Sequence, residues 1–237
     1  MQPLYSRPVA QASVATRLDF LKKVYLWMTF GVVLSAVGSW LGIQSGIAEW
    51  SLRHGIIGPI LLAVVWMGAG FFAQKVRHDR GANTIAFGLY GLVTGVVMSS
   101  LILVAMIMGQ MLTGSAMTYI VQAFGITAVA FGGLSFYAAT TKRDLSFMRG
   151  MLVVGSIALL GLALVSLFVQ SSMFAMAISF FAILLFSGWI LFDTQKIVRT
   201  YPENEYMAAA IELFSSFAML FMNILRIILM LAGGRRD

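Results

Sequence analysis

The chain has 237 residues, of which 60% are hydrophobic and 11% charged, with nine acids against sixteen basic residues and no cysteine. Soluble domains hold about 45–50% apolar and about 25% charged residues, so the balance excludes an ordinary soluble domain. The missing thiols exclude disulfides, thiol catalysis and cysteine metal sites.

A polar segment at 1–23 comes first, read as loose or partly helical at the membrane surface. It has no obvious small-residue cleavage site, so the first apolar run reads as an uncleaved signal anchor. Seven apolar runs follow, at about 24–43, 56–74, 84–108, 117–140, 150–169, 172–192 and 208–231. Each reaches the length of roughly 18 residues that a membrane-spanning helix needs. None shows the alternation of a barrel strand. Prolines occur only at 3, 8, 59 and 202, so no span is broken at mid-membrane. The expected fold is all-α: a polytopic seven-helix bundle over 24–231, with a basic tail at 232–237.

Connections are short. The longest is expected at 193–206, "DTQKIVRTYPENEY", where Pro202 and nearby acids signal a loop. In "TTKRDLS", Asp144 or Ser146 is placed to cap the following helix, and a partner-docking loop is the alternative. Small residues in "GLYGLVTG" and "FGITAVAFGG" point to close helix packing, and the sixteen methionines to adaptable packing rather than a metal relay.

Charge gives the orientation. With the N-terminus in the cytoplasm, Arg7, Arg17, Lys22, Lys23, Lys75, Arg77, Arg80, Lys142, Arg143, Arg149, Lys196 and Arg199 all lie inside, twelve of the sixteen basic residues. This is the positive-inside pattern, so the net charge of +7 implies a lipid bilayer and no nucleic-acid partner. Seven full spans leave Arg235 and Arg236 outside, whereas a re-entrant last helix would return them.

The chemical inventory is short. Only Asp193 and Glu212 among the acids enter or edge the membrane, and both histidines, His54 and His78, fall in loops. The pairs that an intramembrane metalloprotease, serine protease or aspartyl protease needs are absent. A non-enzymatic protein without cofactor or metal is expected. Intramembrane charges are costly and mark function by default. In the last span Glu212, Ser215, Ser216, Met219, Asn223 and Arg226 share one helical face, so that helix is expected to turn toward protein or water. Snorkelling of Glu212 and Arg226 from opposite ends is the other reading. Asp193 would end the sixth span at the level of Glu212, with Lys75, Arg77 and Lys196 nearby. These charges form either a proton-sensitive latch or an ordinary solvated helix hem.

"KVYLWMTFGV" at 23–32, "FYAATTKRDLSFMRGML" at 136–152 and "FDTQKI" at 192–197 resemble the Bax inhibitor-1, or transmembrane Bax inhibitor motif, family. The resemblance covers nearly the whole chain. It implies seven helices with the last one central between two layers of three, in a bacterial inner-membrane protein. It also implies a pH-sensitive cation leak, best described for calcium, controlled by two aspartates. Asp193 matches the first of them, and Arg77 or Lys75 matches a basic residue that helps hold the closed state. Where the family commonly reads LYLDFINLF, this chain reads "LFSSFAMLF" at 213–221: Ser216 stands for the second aspartate and Met219 for the asparagine. Glu212, about 6 Å earlier along the axis, is an imperfect substitute. Two functions follow: a calcium or cation leak gated around Asp193, Glu212, Ser216, Arg77 and Lys196, or a non-conducting protein that modulates a membrane protease such as FtsH.

Overall fold

The computed structural model describes residues 14–77, 79, 81–169, 171–202 and 204–234. The sequence readings on Arg7, His78, Arg80 and the tail arginines Arg235 and Arg236 lie outside the described residues. Among the described residues eight helices follow one another: α1 (Val14–Gln44), α2 (Ile47–Arg53), α3 (Ile57–Lys75), α4 (Ala82–Thr113), α5 (Thr118–Thr140), α6 (Met148–Ser166), α7 (Ser172–Thr200) and α8 (Tyr206–Gly233). All but α2 are long and apolar enough to cross a membrane, giving seven spans among the described residues.

Three boundaries differ from the sequence reading. First, α1 begins ten residues before the expected span. Its polar opening is amphipathic, burying Phe20 and Val24 while Asp19 and Lys23 form an i,i+4 ion pair of 2.7 Å on the open side. Second, the short helix α2 fills the connection between the first two spans. Gly46, with φ of +77°, makes the turn between α1 and α2 that a side chain would strain. Third, α7 does not stop at Phe192. It continues to Thr200, so the expected 193–206 loop shrinks to 201–205. Polar residues end a hydropathy run, but they do not end a helix whose inward face keeps burying Asp193, Thr194, Gln195, Ile197 and Val198.

Helix α8 is the axis of the bundle. Of its most apolar stretch 61% is buried, against 6–33% in the other spans. α1, α3 and α4 pack against it, as do α5 and α7, while α6 packs on the outer side of α7. Around α8, Phe214 meets Phe87 and Tyr90 edge-on at 5.6 Å each, and Phe217 meets Phe131 at 5.5 Å. Such edge-to-face pairs add to burial by fixing ring orientation. α8 runs unbroken for 28 residues, about 42 Å at helical rise. The re-entrant alternative therefore fails, because Gly233 ends opposite Tyr206.

The tightest pairing is α1 on α4, where small residues let backbones touch. Ser35 Oγ donates to Gly91 O at 3.1 Å and Ser39 Oγ to Gly95 O at 2.9 Å. A Cβ on Gly95 would collide with the Ser35 carbonyl, so the glycine is required by proximity. At the periphery, α3 and α6 flank the α7–α8 pair without substantial contact with each other, leaving a cleft between them.

Candidate functional site

The end of the bundle where α3 and α7 finish and α6 and α8 begin holds the buried acid Asp193 and the nearly buried Glu212. Glu212, in the second turn of α8, is the hub. Lys196 Nζ of α7 donates to its Oε1 and Oε2 at 2.9 and 3.1 Å, and Arg77, two residues past α3, donates to Oε1 at 3.3 Å. The Glu212 side chain is 10% exposed, whereas Arg77 and Lys196 keep 32% and 36% exposure. One carboxylate thus joins three helical segments. Lys196 also lies 5.3 Å from the centre of the Tyr201 ring. Burial, then the Glu212 charge, pushes the Tyr201 phenol above its ordinary value, so it stays a neutral donor beside the carboxylate.

Asp193 lies one helical turn before Lys196 and is 6% exposed. Its hydrogen-bond partner among the described residues is Ser216, whose Oγ donates to Oδ2 at 3.3 Å. The bond links α7 to α8 one turn beyond Glu212. The two carboxylates are therefore held differently: Glu212 by two cations, Asp193 by a single hydroxyl.

A second cluster ties the α5–α6 loop to α7. The buried Gln195 accepts from Leu145 N at 2.7 Å and donates from Nε2 to Arg143 O at 2.8 Å. Arg199 Nη2 donates to the carbonyls of Thr141, Lys142 and Arg143 at 3.1–3.4 Å, and its Nη1 lies 3.7 Å from Asp144. Asp144 does not cap α6. Its two oxygens accept from the backbone N–H and the hydroxyl of Ser146, at 3.0 and 2.8 Å, and shape the turn before the helix. Those bonds hold its carboxyl below the usual range.

A cavity of about 990 Å³ opens beside these clusters, in the cleft between α3 and α6. Toward the end of the bundle it is lined by Asp144, Arg149 and Arg199, and farther along the helices by Asp193, Trp66, Phe186, Trp189 and Leu160. A smaller, apolar cavity of about 350 Å³ lies on the opposite side of α8, among α1, α4 and α5. The rings of Phe214, Phe217 and Phe221 line it. Among the described residues no group of histidine or acidic side chains is arranged to hold a metal ion.

The sequence model of the family described as inhibitor of apoptosis-promoting Bax1 matches residues 17–234. This chain belongs to the Bax inhibitor-1 family. Bacterial relatives agree with it over nearly their full lengths. The inner membrane protein YbhL of Escherichia coli K12 is 30% identical over 230 residues, covering 92% of each chain. A membrane protein of Vibrio cholerae is 31% identical over 227 residues, 95% of this chain and 96% of its own. A Campylobacter jejuni protein is 32% identical over 209 residues, 88% and 87% respectively.

In this Bax inhibitor-1 family member the structure brings together all five residues singled out from the sequence. Asp193 pairs with Ser216, and Glu212 pairs with Lys196 and Arg77. Of the two basic candidates at the end of the second span, Arg77 reaches Glu212, while Lys75 is exposed at the end of α3. Sequence reasoning missed the roles of Gln195, Arg199 and Tyr201. A signal existed for Gln195: it stands inside "FDTQKI", and the segment it clasps lies inside "FYAATTKRDLSFMRGML". The two stretches meet in space.

Proposed function

We propose that the protein is a pH-sensitive cation leak of the inner membrane, with calcium as the ion, and that the Arg77–Glu212–Lys196 cluster is its closed latch. The observation that carries this reading is the paired placement of Asp193 and Glu212. Both carboxylates lie at one end of the central helix, beside a cavity open at the basic end of the bundle. Release of the Arg77–Glu212–Lys196 contacts would free α8 from α7 and from the chain leaving α3, and α8 is the element whose shift would link the cavities on its two sides. In this reading the N-terminus and the loop at 141–147 are cytoplasmic, in keeping with the basic excess there. The protein catalyses no reaction, and its function needs no cofactor.

One observation favours the second reading, a non-conducting protein that acts on other membrane machinery such as a protease. Ser216 gives Asp193 a hydroxyl where the family places a second carboxylate. The test is calcium-dye flux into liposomes reconstituted with the purified chain across pH 6 to 8. Flux that rises with falling pH and changes its pH profile in Asp193→Asn supports the leak. No flux from correctly folded parent protein would overturn it in favour of the second reading.

A further inference from the structure

We propose that the cavity between α3 and α6 is a binding site for a lipophilic organic cation, with Asp193 as the counter-charge and Trp66, Phe186, Trp189 and Phe192 as the wall. The proposal goes beyond the leak reading and does not require that any ion cross the membrane.

Three features converge on this ligand class. The first is access. α3 and α6 flank the cleft without substantial contact between them, so an apolar molecule dissolved in the bilayer can enter sideways. The volume of about 990 Å³ falls at the top of the range of drug-sized ligand sites.

The second feature is charge by depth. At the mouth, Arg199 is committed to three loop carbonyls and Asp144. Arg149 stands at the same level, in the first turn of α6, and is exposed. Lys196 is committed to Glu212. Beyond that level the only charged group lining the cavity, among the described residues, is Asp193, one turn farther along α7 than Lys196. Ser216 supplies its single hydrogen bond among the described residues. A carboxylate with one neutral donor, beside the apolar wall of Trp189, Phe186 and Leu160, attracts a cation that carries its own apolar shell. A small hydrated ion would have to shed its water there with few oxygen ligands in return.

The third feature is the aromatic wall. Trp189 Nε1 donates to Ser156 at 3.1 Å and Trp66 Nε1 to Thr94 at 3.1 Å, so both indole N–H groups are already satisfied within the protein. What remains for a ligand is the ring surface. Trp189 and Phe192 are set edge-to-face at 5.8 Å and 80°, an angled pair that offers rings to a cation from two directions. Aromatic faces hold cations best when water is excluded.

The experiment compares two ions of the same tetrahedral aryl shape and opposite charge. Tetraphenylphosphonium and tetraphenylborate are each titrated, with ion-selective electrodes, into the full-length protein in phosphatidylcholine nanodiscs and into empty nanodiscs. Tetraphenylphosphonium is expected to bind saturably at one site per chain beyond its partitioning into lipid, and tetraphenylborate only to partition. Asp193→Asn is expected to weaken the phosphonium by at least about tenfold, the loss of one ion pair at low effective dielectric. Asp193→Glu should retain binding, and Trp189→Leu should weaken it by about threefold. Equal saturable binding of both ions, or no saturable phosphonium binding, overturns the site in the parent protein alone, whatever the variants do. Parent affinity in a folded Asp193→Asn protein overturns the role of the carboxylate and with it the proposal. The calcium-flux result bears on neither outcome.

Discussion

Removing the charge at Glu212 while keeping its shape, as in Glu212→Gln, tests whether one carboxylate really joins α3, α7 and α8. Charge-assisted hydrogen bonds contribute roughly 1.5–3 kcal/mol each when well buried. Arg77 and Lys196 keep 32% and 36% exposure, so solvent screening lowers each contribution toward about 1 kcal/mol. Glutamine retains an acceptor but not the charge, and two cations then face one another across a side chain only 10% exposed. The expected loss is about 2 kcal/mol in total, or about 4–8 °C in Tm for a chain of this size. The assay is thermal unfolding in nanodiscs of the parent, Glu212→Gln, Lys196→Gln and the double variant. If the ion pair is real, the double variant is less destabilised than the sum of the singles by about 1 kcal/mol. Strict additivity, or a Glu212→Gln shift below about 1 °C, would refute the hub.

Gln195→Ala strands the backbone N–H of Leu145 and leaves the Arg143 carbonyl to Arg199, and should cost about 1–3 kcal/mol. Limited proteolysis should then cut the 141–147 segment faster than in the parent; unchanged protection would mean that Arg199 alone holds the loop. Gly95→Ala forces a Cβ into the Ser35 carbonyl, a backbone atom that cannot rotate away, so a loss of about 3 kcal/mol or failure to fold is expected. Gly125→Ala is the control, since nothing lies near its Cβ position, and equal folded yields from the two variants would contradict the α1–α4 interlock. The Asp144 carboxyl is held low by Ser146, so its contribution is fully present above its ordinary value of 3.8 and is lost only as pH falls through the lowered one. Asp144→Asn is therefore expected to leave any flux midpoint between pH 6 and 8 in place, and a displaced midpoint in the flux assay would contradict this.

The number of spans and the inward turn of α8 are properties of the sequence by itself. Long uncharged runs such as Met173–Phe192 have no stable home but lipid or a core, because each buried backbone group must be satisfied within its own helix. The stripe from Glu212 through Ser216 to Asn223 repeats at helical spacing, and polar groups in that pattern must find partners inside the bundle. The site's pairings were not legible in the same way. Hydropathy falls at Asp193 and suggests a helix end, yet α7 continues because Asp193, Thr194, Gln195, Ile197 and Val198 stay buried, with α8, α5 and the α5–α6 loop supplying partners to the polar ones. Lys75 and Arg77 are equally basic and two residues apart, and only the geometry of the chain leaving α3 delivers Arg77 to a carboxylate 135 positions away. Gln195 has no apolar or charged signature. Its role exists only because the loop after α5 returns to the flank of α7 and presents an N–H that the amide oxygen satisfies and a carbonyl that the amide shares with Arg199. Periodicity records which face of a helix is buried, whereas the identity of the partner depends on how separate helices are set against each other, and only the tertiary structure decides that.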